Sequence, residues 1–384
     1  MKARKQQILI VVDSLGCGGA EKSLAALLAR LDYERMDVDL FVRTRGGINE
    51  AHIPAGVVMA DYSPRGIMSL AARIRYSSAL RMRRTHAHPA ETEWKSTAFA
   101  YSVPRKTYDT AIAYHQGVPT LFVAHKVKAR RKIAWINADL PNVGYSRAYL
   151  HGVYDKFHRV VAVSAALAHK ISAYGFVRPD RLRVVYDIVE PDAVRALAEH
   201  SCPQIKPLPE GTLRIVTVGR LVAPKNYLLA VEVAALLRER GLRFVWHFVG
   251  DGDRRRDIAD AIARHKLETH IRLEGMRPNP YPYFAAADIY VQTSRFEGFG
   301  LTLTEARLLG RPVVCTDFDV ARDQIRDGIN GLLAAMTPAD VADKIMLLAS
   351  DKALREAIAA EAAAEVNDTA STESAKVNSM ILEP

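Results

Sequence analysis

Ile8-Leu9-Ile10-Val11-Val12-Asp13, followed by Gly16-Cys17-Gly18-Gly19-Ala20-Glu21, opens the chain as an apolar run and a glycine-rich turn. A short run that is apolar at every position belongs to a strand buried on both faces of a parallel sheet. Leu24, Leu27, Leu28 and Leu31 then recur at i, i+3, i+4 and i+7, the stripe of a helix packed on such a sheet. Met1-Lys2-Ala3-Arg4-Lys5 imitates the start of a secretory signal, but Asp13 ends the apolar stretch too early for one. The segment therefore reads as the first strand of an α/β fold.

The alternation continues outward from there. Val38, Leu40 and Val42 form a second strand, and further strands are predicted at Thr110–Tyr114, Lys132–Ile136, Val160–Val163 and Leu182–Val185. Pro203, Pro207 and Pro209 then interrupt the pattern. A second series follows at Leu213–Val218, Phe244–Val249, Ile271–Leu273, Ile289–Gln292 and Pro312–Cys315, and a mostly helical tail runs from Pro338. The 384 residues exceed one ordinary core, so the expectation is a domain over 1–195, a linker over 196–212 and a domain over 213–384. Two such domains make a deep cleft, and open α/β sheets bind ligands at the carboxyl ends of their strands.

Composition narrows the class further. Hydrophobic residues at 49% and charged residues at 25% are ordinary for a globular chain, and no apolar run is long enough to span a bilayer. Cys17, Cys202 and Cys315 fit neither a disulfide framework nor zinc spacing, which points to a reducing cytoplasm. The net charge of +10 favours anionic partners of some kind.

Three places carry chemistry. In Gly16-Cys17-Gly18-Gly19 the backbone can approach an anion at a helix N-terminus, although the spacing is not that of a dinucleotide fingerprint. Val218-Gly219-Arg220-Leu221 with Lys225-Asn226 sets two cations at a strand end, a candidate pyrophosphate clamp. Ser294-Arg295-Phe296-Glu297-Gly298-Phe299-Gly300-Leu301-Thr302-Leu303-Thr304-Glu305-Ala306 puts one carboxylate in a glycine-containing loop and a second inside the next helix. Such carboxylates accept hydrogen bonds from sugar and ribose hydroxyls.

Together, Glu297-x7-Glu305, Arg220 and Lys225, the opening Gly-Gly-Ala-Glu, Val249-Gly250-Asp251-Gly252 and Asp327-Gly328-Ile329-Asn330-Gly331 resemble family 4 of the retaining glycosyltransferases. The resemblance covers nearly the whole chain. It implies a GT-B fold: two Rossmann-like domains facing across a deep cleft, the N-terminal one receiving the acceptor and the C-terminal one the nucleotide-sugar. The last helix is expected to pack back on the N-terminal domain. It also implies retention of anomeric configuration, and no cofactor or metal. Carried over by position, Arg220 and Lys225 would neutralise the donor pyrophosphate, Glu305 would hold the ribose and Glu297 the donor sugar. Asn226 and the backbone of Phe299, Gly300 and Leu301 would line the donor, and Gly18 and Gly19 would face the reacting centre. UDP is the default base, with GDP open.

One departure stands out in Ile133-Ala134-Trp135-Ile136-Asn137-Ala138-Asp139, where the family usually has histidine at the place of Asn137. Asparagine hydrogen-bonds but takes no proton near neutral pH. If the leaving phosphate receives the acceptor proton, activity survives; otherwise the chain is a weakened enzyme or a binding scaffold. His115 and Asp139 are candidates for positioning the acceptor or sugar, with a structural histidine as the other reading of His115. His86 and His88 lack zinc spacing and read as a surface loop. A nucleotide-sugar 2-epimerase or a glycogen-synthase-like enzyme is the alternative within the same architecture.

Two basic stretches remain. Arg73, Arg75, Arg81, Arg83 and Arg84 interleave with Leu70, Ile74, Leu80 and Met82, and Lys126, Lys128, Arg130, Arg131 and Lys132 follow later. Both suggest a peripheral enzyme resting on the anionic inner face of the cytoplasmic membrane and acting on a glycan or lipid-linked acceptor in cell-surface polysaccharide or lipopolysaccharide synthesis. The competing reading is a solvated charged helix. No nucleic-acid-binding signature accompanies the charge, so nucleic acid is not expected as a partner.

Overall fold

The computed structural model describes residues 4–64, 66–81, 88–365 and 369–383; Met82, Arg83, Arg84 and His86 lie outside the described residues. By contact the chain divides into two units, Met1–Ile188 with Ala370–Pro384, and Val189–Thr369. The division falls ahead of the expected linker, so helix Pro191–Ala198 goes with the second unit. There Asn279 Nδ2 donates to the Leu197 carbonyl at 2.7 Å.

The first unit contains β1 (Gln6–Ser14), α1 (Gly19–Ala29), β2 (Met36–Thr44), β3 (Val58–Asp61), α2 (Gly66–Arg81), α3 (Pro89–Thr97), β4 (Tyr108–Ala113), α4 (Val118–His125), β5 (Ala129–Ile136), α5 (Arg147–Tyr154), β6 (Arg159–Ala162), α6 (Ala165–Tyr174) and β7 (Leu182–Val184). The strands form one sheet in the order β3-β2-β1-β4-β5-β6-β7, and every pair is parallel. Ile8 to Val12 are fully buried, as a central strand covered on both faces requires. The edge strand β3 is absent from the sequence pattern because it is four residues long and its Val58 is 63% exposed.

The C-terminal helix Thr369–Leu382 packs on this first unit. Asn378 accepts from the Asp32 backbone and donates to the Arg30 carbonyl, while Glu373 Oε2 accepts from the Tyr186 N–H at 3.0 Å.

The second unit contains α7 (Pro191–Ala198), β8 (Leu213–Val218), α8 (Tyr227–Glu239), β9 (Phe244–Val249), α9 (Arg255–Arg264), β10 (Ile271–Gly275), α10 (Tyr281–Ala286), β11 (Ile289–Gln292), α11 (Leu301–Leu308), β12 (Val313–Thr316), α12 (Ala321–Gln324), β13 (Leu332–Ala334), α13 (Pro338–Ser350) and α14 (Lys352–Glu365). Its sheet runs β10-β9-β8-β11-β12-β13, again all parallel. Ile215, Trp246, Phe248, Val291 and Val314 fill the core on one side. The polar atoms there are paired: Trp246 Nε1 donates to Thr217 Oγ1 at 3.0 Å, and that hydroxyl donates to the Val291 carbonyl at 2.6 Å.

On the other side, His247 Nε2 lies 3.1 Å from Arg214 Nη1 and its Nδ1 lies 2.8 Å from Glu274 Oε1. Arginine can only donate, so Nε2 accepts and the proton sits on Nδ1. Burial lowers the His247 pKa and holds the ring neutral. In both sheets the strand order reverses beside the first strand, between β1 and β4 and between β8 and β11. Open α/β sheets bind ligands outside the strand ends at these places.

Candidate active site

The end of β8 is positioned by backbone packing. A Cβ on Gly250 would fall 1.9 Å from the Gly219 carbonyl oxygen, and one on Gly252 would fall 2.4 Å from that of Leu221. Only glycine lets the two loops touch at these points. The Gly219 N–H donates to Val249 O at 3.0 Å, and Leu221 N–H to Asp251 O at 2.9 Å. The loop so held carries Arg220 with its side chain exposed to solvent. Val249-Gly250-Asp251-Gly252 is therefore the buttress of the Arg220 loop.

Lys225 ends a short 3₁₀ turn, and Asn226 turns left-handed (φ 53°) to start α8. Thr293 Oγ1 donates to the carbonyls of Lys225 and Asn226 at 3.2 and 3.1 Å, while Arg295 N–H donates to Pro224 O at 2.8 Å. These bonds tie the end of β11 to the turn after β8 and bring Lys225 Nζ within 2.6 Å of Glu297 Oε1. The same oxygen accepts from Ser294 Oγ at 2.6 Å and Gln292 Nε2 at 2.8 Å. Three donors on one oxygen fix the carboxylate and, among the described residues, leave its second oxygen for a ligand. Lys225 spends one of its three N–H groups on this contact.

Gly300 caps α11 in the left-handed region (φ 86°), where a side chain would be strained. Gln324 Nε2 holds the preceding carbonyl of Phe299 at 2.6 Å, and Gln324 Oε1 accepts from Thr304 Oγ1 at 2.8 Å. Asn330 in turn donates to the Gln324 carbonyl at 3.2 Å, so Asp327-Gly328-Ile329-Asn330-Gly331 braces the start of α11 from behind. Phe299 and Leu301 are buried. Glu305 is 1% exposed, and its Oε1 accepts from the Tyr281 hydroxyl at 2.8 Å. Burial, followed by the charge of Glu305, raises the Tyr281 pKa, so the phenol stays a donor.

In the first unit the glycine turn lies where expected, with Gly18 as N-cap and Gly19 as the first residue of α1. A Cβ on Gly18 would fall 2.2 Å from Glu21 Oε2, and Ser14 Oγ donates to Glu21 Oε1 at 3.4 Å. The chain's own carboxylate thus covers the helix N-terminus that an anion would use.

His115 and Asn137 follow the ends of β4 and β5. His115 Nδ1 accepts from Asp13 N–H at 3.3 Å, so in the neutral ring the proton is on Nε2; that atom is buried and has no partner. Asn137 Nδ2 donates to Tyr114 O at 2.8 Å, and its buried Oδ1 is likewise unpaired.

Two expectations need correction. Asp139 is 2% exposed, and its carboxylate is taken up by Lys170 at 2.8 Å, Asn142 at 2.7 Å and Tyr174 at 3.3 Å, so it braces α6 rather than presenting itself to a ligand. The stretch Lys126–Lys132 is not a single basic surface. Arg131 turns in to Thr110 and the Ile381 carbonyl, and Lys132 donates to Ala124 O at 3.1 Å. Burial lowers the pKa of both. Only Lys128 and Arg130 of that stretch are fully exposed.

His88 caps α3, accepting from Ala90 N–H at 3.2 Å, and stacks on Tyr145. Among the described residues no group of three or more His, Cys, Asp or Glu could hold a metal ion, and no helix is long and apolar enough to cross a membrane. The three cysteines are unbridged.

Sequence reading missed Gln292, Ser294, Tyr281 and Gln324. Gln292 and Ser294 carried a signal, since a buried strand that ends in polar residues beside a loop carboxylate calls for partners. Tyr281 and Gln324 reach the site from other elements and left no local pattern.

The arrangement defines two α/β units, the second with cations, a clamped carboxylate and a helix start at the strand-order reversal. Solved structures share the fold: Anabaena Alr3699/HepE in complex with UDP and glucose aligns with a TM-score of 0.71 and 21% identity over 98% of both chains. The fold is GT-B, with two Rossmann-like domains. Residues 201–365 match the family described as glycosyl transferases group 1. Poly(ribitol-phosphate) alpha-N-acetylglucosaminyltransferase of Staphylococcus aureus is 32% identical over 159 residues, 41% of this chain and 32% of that protein. Lipopolysaccharide core biosynthesis glycosyltransferase LpsE of Rhizobium meliloti is 28% identical over 203 residues, 52% of this chain and 56% of that protein. The match thus spans about a third and just over half of these two relatives.

Proposed function

We propose that the chain is a retaining hexosyltransferase that moves a sugar from a UDP-sugar to a glycan or lipid-linked acceptor in cell-surface polysaccharide or lipopolysaccharide synthesis. The observation that carries this reading is the convergence of Arg220, Lys225, Glu297 and the start of α11 at the reversal between β8 and β11. UDP is favoured because the aligned Anabaena protein holds it, and cell-surface glycan assembly because one named relative acts in lipopolysaccharide core biosynthesis and the other adds N-acetylglucosamine to poly(ribitol-phosphate).

Arg220 and the free N–H groups of Lys225 lie against the pyrophosphate and stabilise the negative charge that grows as the sugar–phosphate bond breaks. Glu297, fixed by its three donors, accepts from donor-sugar hydroxyls, and Glu305, held by Tyr281, serves the ribose. The acceptor hydroxyl attacks the anomeric carbon, its proton passes to the leaving phosphate, and UDP departs. No step asks Asn137 for a proton. In the first unit, His115 Nε2–H and Asn137 Oδ1 offer one donor and one acceptor to a substrate hydroxyl. The basic residues Arg73, Arg75 and Arg81 face an anionic surface.

A thermal-shift titration against nucleoside diphosphates and their sugars tests the donor site. Stabilisation by the UDP series, lost in Glu305→Ala, is expected; none with any nucleotide refutes the reading. Arg220→Ala should slow transfer by about 10²–10³-fold, as loss of one charge-stabilising group does, and unchanged turnover would refute its role. Binding of UDP-glucose with neither hydrolysis nor transfer would favour the scaffold that Asn137 allows.

A further inference from the structure

The helix α2 is apolar on the side that faces out. Ile67, Leu70 and Ile74 are 85%, 59% and 60% exposed. At 100° per residue they fall within an arc of about 60°. The residue turned inward is the small Ala72, at 4% exposure. An ordinary surface helix does the opposite and buries its large apolar residues. Arg73 and Arg75 flank the stripe on either side, Arg81 closes it, and no acidic residue lies between Gly66 and Arg81. Exposed Phe99 and Val103 extend the apolar face, and the Arg75 guanidinium stands over the Phe99 ring at 5.5 Å. Beside it is a cavity of about 350 Å³ lined by Phe41, Tyr62, Met68, Val103, Pro104 and Phe122.

We infer that this face docks on an anionic lipid bilayer, with Ile67, Leu70 and Ile74 inserted among the acyl chains. The inference rests on the reading of an anionic surface as partner and replaces a purely electrostatic contact by a partly buried one. The stripe supplies apolar area to bury, and the flanking arginines meet lipid phosphates at the level of the headgroups. The charge chooses among occupants. A second copy of this chain would bring Arg73, Arg75 and Arg81 against the same residues, whereas a phosphatidylglycerol surface neutralises them. A contact of both kinds survives salt in part, because screening weakens the arginines and leaves the apolar term. Lys126–Lys132, with two of its cations turned inward, is not required.

The test is sedimentation of the full chain with vesicles of phosphatidylglycerol mixed into phosphatidylcholine, and with phosphatidylcholine alone. Binding to the anionic vesicles that weakens but persists at high salt is expected. The triple variant Ile67→Ser, Leu70→Ser, Ile74→Ser should lower the partition coefficient at least about tenfold, and Arg73→Gln with Arg75→Gln should remove most of the salt dependence. These side chains are exposed, so the variants should keep the wild-type response to UDP; that response separates this proposal from the donor-site reading. Equal binding to neutral and anionic vesicles, no binding at all, or undiminished binding by the triple variant would overturn it. So would a dimer in light scattering that the triple variant converts to monomer, which would assign the face to a second copy.

Discussion

Asp187 → Asn isolates a stability term that the first unit carries for no reason of packing. The carboxyl follows β7 and lies against α1, where Ser23 Oγ accepts from Ile188 N–H at 2.9 Å and sits 3.1 Å from the Tyr114 hydroxyl. Its Oδ1 is buried without a hydrogen-bond partner. Burial pushes the pKa up from 3.8 to about 7, with the charge of Glu21 adding to the rise and the Ser23 hydroxyl opposing it. The native state therefore holds a proton that the unfolded chain releases, and stability falls as pH climbs from about 4 to about 7. At about 1.4 kcal/mol per tenfold change in proton affinity, the gap is worth roughly 4 kcal/mol at the most, and relaxation of the site leaves an expected 2–4 kcal/mol. Asparagine removes the ionisation and keeps the shape. Melting temperatures from pH 4 to pH 8 should show Asp187→Asn gaining on the wild type as pH rises, by roughly 4–16 °C across the range for a unit of this size. A difference between the two proteins that does not change with pH would refute the reasoning.

Two further substitutions test the second unit. Gly250→Ala puts a methyl group 1.9 Å from the Gly219 carbonyl, so the Arg220 loop must shift; a loss of about 1–3 kcal/mol and of the UDP-induced thermal shift is expected, and an unchanged UDP titration would count against the buttress. Tyr281→Phe takes the 2.8 Å donor from the buried Glu305 carboxylate and should cost about 1–3 kcal/mol in denaturant unfolding, with wild-type stability as the contrary result.

Much of this was legible in the sequence because parallel strands buried on both faces write themselves as unbroken apolar runs. Ile8–Val12, Phe244–Val249 and Ile289–Gln292 all emerged that way, and with them the strand ends where the site stands. The edge strands β3 and β13 did not, and in β3 the exposure of Val58 leaves no apolar run to read. Glu297 and Glu305 were legible as residues, but their surroundings were not: the donors on Glu297 come from β11, its following loop and the turn after β8, and the donor on Glu305 comes from α10. Charge misled where side chains fold back. Arg131 and Lys132 look exposed in a basic run yet point inward, and Glu21 covers the very glycine turn expected to hold an anion.

Glu297 in the second unit and the pair His115 and Asn137 in the first differ in how completely their polar atoms are satisfied. Around Glu297 three hydrogen-bond donors are already in place, so under the proposed function a nucleotide-sugar would meet a carboxylate already set, with little reorganisation left to make. In the first unit, His115 Nε2 and Asn137 Oδ1 are buried and unpaired after adjacent parallel strands. A buried polar atom left unpaired costs about 1–3 kcal/mol, a burden that packing alone gives the chain no reason to keep. One is a donor and the other an acceptor, the pair that a hydroxyl needs in order to accept one hydrogen bond and donate another. Under the proposed function, a substrate hydroxyl bound there would recover the cost on binding. On that reading Asn137 acts without proton transfer, and its place where the resembled family usually has histidine is compatible with sugar transfer.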